Sequence, residues 1–429
     1  MTIVRVHSRK AVGVFGSDLE ILLIEDQRSL AQMAAKMLHQ RWGCHVLIAE
    51  NLAQVRTIIA ENKHRFFVAV SDLNLPDAPH GEVIDVLVSA KIQVIAMTGM
   101  YDEEMHARIM SRGVIDYVLK DSVNSYEYIV ELVGRLFKNR QIKVLVVDDS
   151  ESLRSLLVNM LQTQGLQVMT ACNGVEGLAV LEREQGISLV LLDHEMPVMD
   201  GFILLSQLRR KWPRDRLAVI GMSGTSDPRM SAQFLKLGAN DYMHKPFGYE
   251  ELVCRVTQNL EMQESIEAVR YVAYHDYLTG LYNRRAFFEQ GVKLFAETQT
   301  AGKPLLAAVM DIDFFKKIND TYGHDGGDVV LKHFSALLGD HFKSQLVARV
   351  GGEEFFLLFT DVDQAATLCE SFRQRVAQST LKFKEFVISF TISIGLTRIL
   401  PASLDEMLKI ADENLYIAKE SGRNCIVSS

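Results

Sequence analysis

Twice before residue 250 the chain runs a short apolar segment into a pair of acids, and this repeat constrains the fold more than any other feature of the sequence. Ile21-Leu22-Leu23-Ile24 leads into Glu25-Asp26, and Val144-Leu145-Val146-Val147 leads into Asp148-Asp149. In each copy a second apolar run delivers a single acid, Asp72 or Asp193, with Pro76 or Pro197 four residues on. The separation is 46 residues from Asp26 to Asp72 and 44 from Asp149 to Asp193. A third run ends in a hydroxyl, Thr98 or Ser223, and 22 residues later stands Lys120 or Lys245, with Tyr117 or Tyr242 three places before it. Strands alternating with helical patterns predict a parallel, doubly wound α/β sheet in each copy, with functional groups collected at the carboxyl ends of the strands.

The chemistry of that set follows from its residue types. Two carboxylates hold a hard divalent cation, the ammonium offsets charge, and a third carboxylate can attack phosphorus. The hydroxyl can then turn towards the new phosphoryl oxygens and draw the surface with it. A lone strand-end Asp would read as a helix cap or a solvated turn. A set of five repeated twice does not.

The last third of the chain centres on Arg349-Val350-Gly351-Gly352-Glu353-Glu354-Phe355. Apolar alternation on both sides places Gly351-Gly352 as the two-residue turn of a hairpin, where glycine permits positive φ and lets a ligand approach bare backbone. The adjoining carboxylates repel one another unless a cation lies between them and a substrate. By itself the tetrapeptide fits a solvated tip equally well. Upstream, Leu305 to Met310 reads as a buried strand ending in Asp311-Ile312-Asp313, followed by Phe315-Lys316, Asn319-Asp320, Gly323-His324 and Gly327-Asp328; Lys419 to Asn424 lies near the C-terminus.

With these motifs in order, residues 268–429 resemble a GGDEF domain, the diguanylate cyclase family, with an α+β fold similar to nucleotide cyclases and polymerase palms. Residues 19–138 and 141–262 each resemble a flavodoxin-like response-regulator receiver domain, the last helix of the second extending to about 275 as a linker. The resemblance implies Asp72 and Asp193 as phosphoacceptors that also line the Mg2+ pockets of Glu25, Asp26, Asp148 and Asp149. Thr98, Tyr117 and Lys120, and Ser223, Tyr242 and Lys245, become switch residues. In the last domain it implies Asp311, the Ile312 carbonyl and Glu353 as Mg2+ ligands, and assigns Glu354 either proton removal or a share of the metal. Gly351 and Gly352 border the substrate, Asn319 and Asp328 read guanine, Lys419 and Arg423 meet the terminal phosphates, and Phe315 and Lys316 close over the ligand.

The activity implied is the joining of two GTP molecules into cyclic di-GMP with release of pyrophosphate, by a homodimer fed with phosphate by an upstream histidine kinase or phosphotransfer protein. Two other readings stay open: an adaptor that binds GTP without turnover, and a cyclase whose receivers serve only as a dimerisation scaffold. Some positions depart from the families. Lys120 precedes Asp121 where receivers carry Pro, as Lys245-Pro246 does, and Asp77-Ala78-Pro79-His80 lengthens the loop after Asp72 by one residue. Asp193 is therefore expected to be the more competent acceptor. An inhibitory Arg-x-x-Asp is replaced by Phe342-Lys343-Ser344-Gln345, which predicts loss of product feedback.

Lys419 and Arg423, four apart, are expected on one helix face if the helix continues a turn past Lys419. Glu250 to His275 lacks Gly and Pro, and Leu252, Val256, Asn259, Gln263, Ile266, Arg270 and Ala273 form a heptad-like line. It predicts a two-fold dimer; the alternative is one helix lying on its own receiver.

At 429 residues and 48% hydrophobic, the chain can bury about three cores. A net charge of −8 argues against a broad nucleic-acid surface. No apolar run nears the ~20 residues that cross a bilayer, which predicts a cytoplasmic protein without a membrane partner. Five scattered cysteines without a CxxC pair predict buried thiols in a reducing compartment. Residues 1–18 read as a loose arm or an extra edge strand.

Overall fold

The structure, a computed structural model, describes residues 19–429 apart from 62–64, 101, 226 and 228, so the N-terminal arm expected over 1–18 lies outside the described residues. The chain divides into two compact units, one ending at Glu264 and the other beginning at Ser265.

The first unit opens with β1 (Glu20–Ile24), α1 (Arg28–Trp42), β2 (His45–Ala49), α2 (Leu52–Ala60) and β3 (Phe66–Asp72). It continues through α3 (Glu82–Ser89), β4 (Val94–Thr98), α4 (Glu103–Met110), β5 (Asp116–Leu119) and α5 (Val123–Asn139). The second copy follows as β6 (Lys143–Val147), α6 (Glu151–Thr163), β7 (Gln167–Ala171), α7 (Gly174–Arg183) and β8 (Ile187–Asp193). It closes with α8 (Gly201–Lys211), β9 (Ala218–Ser223), α9 (Arg229–Lys236), β10 (Asp241–His244) and α10 (Tyr249–Tyr274).

The strand orders are β2-β1-β3-β4-β5 and, in the same sense, β7-β6-β8-β9-β10, all parallel. Both are doubly wound sheets of the flavodoxin type. Their central strands carry nearly continuous apolar runs because helices cover both faces, and Leu22, Leu23, Leu145 and Val146 are fully buried. Cys44 and Cys369 are buried, but Cys172 and Cys254 are exposed, which corrects the expectation of buried thiols. Cys172 lies in the loop just before the cap of α7, and Cys254 faces outward from α10.

In α10, Leu252, Val256 and Leu260 are buried against the second sheet. The first half of the expected heptad line is therefore spent on its own receiver. On the second half the large apolar side chains of Met262, Val269, Tyr271 and Val272 are exposed, while Gln263, Ile266, Arg270 and Ala273 of the expected line are half-buried. Packing of the first turns fixes which face the later turns present.

The second unit contains α11 (Arg284–Thr300), β11 (Leu306–Ile312), α12 (Phe315–His341), β12 (Leu346–Gly351), β13 (Glu354–Phe359) and α13 (Ala365–Gln378). It ends with β14 (Leu381–Phe383), β15 (Phe386–Ile388), β16 (Ile392–Thr397), α14 (Leu404–Glu420) and β17 (Ile426–Ser428). Its main sheet runs β12-β13-β11-β16-β17, with β11 antiparallel to both neighbours, so the domain is α+β. Residues of α12 and α13 fill one face of the sheet, and those of α11 and α14 fill the other. A Cβ at Gly395 would run into the Ala411 carbonyl, so this glycine lets α14 lie directly on β16. Among the described residues no helix is long and apolar enough to cross a membrane.

Candidate functional site

Three constellations form where strands end. In the first receiver, carboxylate oxygens of Glu25, Asp26 and Asp72 lie within 4.8 Å of one another, and in the second those of Asp148, Asp149 and Asp193 do the same. Lys120 Nζ stands 2.6 Å from Glu25 Oε2 and 2.7 Å from Asp72 Oδ2. Lys245 Nζ repeats this at 2.6 Å from Asp148 Oδ2 and 2.7 Å from Asp193 Oδ1. Each lysine is held from behind, its backbone N–H donating to the carbonyl of Thr98 or Ser223. Burial pushes the Glu25 and Asp193 carboxyls up against the opposing pull of the lysines. Burial would lower Lys245, but its two carboxylates outweigh that and raise it.

The switch residues differ between the copies. Ser223 Oγ accepts from Thr225 N at 3.1 Å, and Ser223 lies close enough to Tyr242 to oppose the rise that burial gives its hydroxyl. In the first copy Thr98 Oγ1 donates instead to the Met100 carbonyl, and the Tyr117 ring meets His106 edge-on at 5.0 Å. The lengthened loop after Asp72 has a local use: Asp77 accepts from Leu52 N and Ala53 N at 2.8 and 2.9 Å, capping α2. Burial would raise this carboxyl, but the backbone donors hold it below its ordinary value.

In the second unit Asp311 is the penultimate residue of β11, 5% exposed, with buried Ile312 closing the strand beside it. Its strand partner is Glu354, not Glu353. The hairpin departs from expectation by one residue. Gly351 pairs with Glu354, so the turn is Gly352-Glu353, with Gly352 at φ +49°. An irregularity between Arg349 and Gly351 absorbs a residue and shifts the tip. The Arg349 guanidinium then closes it, donating to the Gly352 carbonyl at 2.9 and 2.7 Å and to Asp276 Oδ1 at 3.0 Å.

Lys419 Nζ approaches Asp311 Oδ2 at 2.9 Å. The Asp311 carboxyl is pushed up to about 6, first by burial, with Lys419 opposing and Glu353 and Glu354 adding to the rise. Arg423 does not share a helix face with Lys419. Gly422, at φ +107°, ends α14, and Arg423 N–H turns back to the Ala418 carbonyl at 3.1 Å. The guanidinium lies 4.5 Å above the Phe314 ring. Phe315 is 8% exposed and packed in the core, with its ring edge at Gly327 beside the Asn319 amide; exposed Phe314 and Lys316 flank it.

Helix α12 is broken at Gly323 (φ +75°, ψ 170°), which separates Asn319 from Asp328 along the chain. A Cβ at Gly327 would collide with the Asn319 amide oxygen, so the missing side chain leaves room for that amide against Gly327, the residue just before exposed Asp328. Sequence reasoning passed over Asp313, Phe314 and Arg349. The second acid of Asp311-Ile312-Asp313 was the available signal for the first.

The two receiver groups each bring three carboxylates within 4.8 Å of one another, Asp311, Glu353 and Glu354 likewise offer only oxygen donors, and burial holds Glu25, Asp193 and Asp311 towards their protonated forms; these features fit a hard cation such as Mg2+. A raised carboxyl pKa in the folded chain means stability that falls as pH climbs from the unfolded to the folded value, because the native state must give up a proton it favours. Bound Mg2+ would take the proton's place. It is expected to raise Tm clearly at about pH 7.5 and little at about pH 5, where protons compete. Thermal melts at the two pH values check this, and an equal rise at both would refute it.

Comparison with known proteins gives the same organisation. A model of the response regulator receiver domain matches residues 21–130 and 144–257, and one described as "Diguanylate cyclase, GGDEF domain" matches 273–425. The chain belongs to the GGDEF response regulators. Among members of this group, the response regulator PleD of Caulobacter vibrioides is 32% identical over 308 residues, covering 66% of this chain and 65% of its own length. The chain thus spans less than two thirds of that relative. The probable diguanylate cyclase DgcT of Escherichia coli is 40% identical over 171 residues, 38% of this chain and 37% of its own. A crystal structure of a putative two-component system response regulator/GGDEF domain protein aligns with TM-score 0.53 at 40% identity, covering 57% of this chain and 99% of that one.

Proposed function

We propose that this GGDEF response regulator is a cytoplasmic diguanylate cyclase controlled by phosphorylation, with domains at 19–138, 141–262 (its helix reaching about 275) and 268–429. One observation carries the reading. Asp311, the Glu353-Glu354 tip and Lys419 converge at one strand end, where burial and mutual repulsion hold the Asp311 carboxyl near 6. A stability-driven fold gains nothing from that crowding; a site for a metal triphosphate does.

In this reading Asp311, the Ile312 carbonyl and Glu353 hold Mg2+, which when bound neutralises charge building on the transferring phosphate. Lys419 and Arg423 receive the terminal phosphates, Gly352 leaves the backbone open to the nucleotide, and Glu354 is placed beside Asp311 for proton removal. The 3′-hydroxyl of one GTP attacks the α-phosphate of the other and pyrophosphate leaves, so two sites must face each other across a symmetric dimer. Met262, Val269 and Val272, spaced 7 and 3 along α10, offer an apolar line for that dimer. A histidine kinase or phosphotransfer protein would load Asp193 and, less readily, Asp72. Full-length protein given GTP and Mg2+ should release pyrophosphate and cyclic di-GMP in a two-to-one ratio, faster with beryllofluoride; no dinucleotide under either condition refutes the proposal.

Guanine reading supplies a second check. Gly327→Ala displaces the Asn319 amide, and is expected to lower kcat/KM for GTP by about tenfold while narrowing discrimination against ATP. Gly339→Ala, on the same helix where a Cβ meets only Leu281 at 3.7 Å, should change neither. Purine selectivity left intact by Gly327→Ala would remove Asn319 from the guanine site.

A further inference from the structure

We propose that Asp313 and Arg373 are positioning residues that clamp Asn424 and thereby fix the Arg423 guanidinium for the triphosphate; this rests on the cyclase reading of Arg423. Asp313 is 3% exposed, and the chemistry above leaves it without a part. Its Oδ1 accepts from Ser393 Oγ at 2.6 Å. Its Oδ2 accepts from Thr391 Oγ1 at 2.7 Å and from the backbone N–H of Asn424 at 3.0 Å. The first two contacts tie the acid to β16 and the residue preceding it. The third reaches across to the segment that carries Arg423.

That segment needs holding. Arg423 and Asn424 have φ of +65° and +46°, two successive non-glycine residues in the left-handed region. Such backbone persists only where its surroundings over-determine it. Three restraints do so here: Arg423 N–H to the Ala418 carbonyl, Asn424 N–H to Asp313, and Arg373 Nη1 to Asn424 Oδ1 at 2.7 Å. Arg373 is itself fixed by a fork to Glu370, at 2.9 and 2.6 Å. The other side of the guanidinium is set by the same acid, because Phe314, under the Arg423 ion, directly follows Asp313 and starts α12 at φ +56°. Asp313 therefore anchors both halves of the stack, the cation through Asn424 and the ring through its own backbone.

A buried acid that merely ties β11 to β16 would affect binding independently of Arg423, and a double-mutant cycle separates the two roles. The readout is the affinity of the full-length protein for 3′-deoxy-GTP with Mg2+, which lacks the attacking hydroxyl and so reports binding whether or not the chain turns over. Asp313→Asn and Arg373→Ala are each expected to weaken it about tenfold, and each to add less than about twofold once Arg423→Ala is present. Losses that multiply in the Arg423→Ala background, or no loss in either single variant, overturn the proposal. If Asp313→Asn does not fold, Arg373→Ala decides alone. A wild-type chain that binds the analogue yet joins no GTP refutes the cyclase reading while the cycle still decides this one.

Discussion

Glu353→Gln is expected to cut cyclic di-GMP formation by about a hundred- to a thousandfold, with the fold unchanged. The substitution keeps the shape of the side chain and removes its charge. Glu353 occupies the turn between β12 and β13, outside the paired register, so no ladder contact depends on its carboxylate. It does bear on Asp311, whose raised pKa includes repulsion from Glu353. The variant should therefore let Asp311 ionise at lower pH while binding metal more weakly, and excess Mg2+ should recover part of the rate. Glu354→Gln is the informative companion. As the direct strand partner of Asp311 it can fail by losing proton removal, in which case raising pH restores activity and added Mg2+ does not. An undiminished yield from Glu353→Gln would leave the proposed function without its central residue.

Asp193→Asn is expected to abolish the response to beryllofluoride or a small phosphodonor, a factor on the order of 10 to 100, and to leave unstimulated activity in place. Asp193 is 5% exposed, and Lys245 bridges it to Asp148. Lys245 stands four residues before α10 begins, and Phe247 between them packs into the core that receives Leu252. A shift at the lysine therefore reaches α10 through a very short segment. Asp72→Asn is expected to remove a smaller share. The first receiver meets α10 at its side, among other contacts through His106 to Glu250 at 3.0 Å, the Tyr249 hydroxyl donating to the Ile115 carbonyl at 3.0 Å, and Arg135 and Lys138 on Glu264 at 2.5 and 3.0 Å, and its acid pocket has no direct chain link to that helix. Mass spectrometry after phosphodonor treatment, set beside the rates, checks both variants; full stimulation retained by Asp193→Asn would transfer the controlling role to Asp72 or to neither.

The receivers were legible almost residue by residue, because parallel strands buried on both faces are written as uninterrupted apolar runs and their ends are marked by the acids. The hairpin tip was placed one residue early because alternation shows where strands meet but not where an irregularity such as that at Arg349 to Gly351 consumes a residue. The end of α14 was in view: Ser421-Gly422 is an ordinary stop signal, and weighing it above the Lys419–Arg423 spacing would have taken Arg423 off the helix. Asp313 carried a signal as the second acid of its motif, but its meeting with Arg373 at Asn424 was out of reach, since nothing local in the sequence shows that two residues 60 apart converge there. The heptad line was legible only in part, for a related reason. Which face of α10 stays exposed was settled by the sheet beneath Leu252 and Val256, and a heptad pattern carries no record of that choice.

That helix has no break over its 26 residues, a length of about 39 Å. Used as a shaft it would convey torque as well as thrust, so that what arrives at its far end would depend on angular phase. One residue added to its middle would swing everything beyond by about 100°, while seven would return it almost to the same bearing. The tolerance of this regulator to change between its receivers and its last domain should therefore be periodic in length.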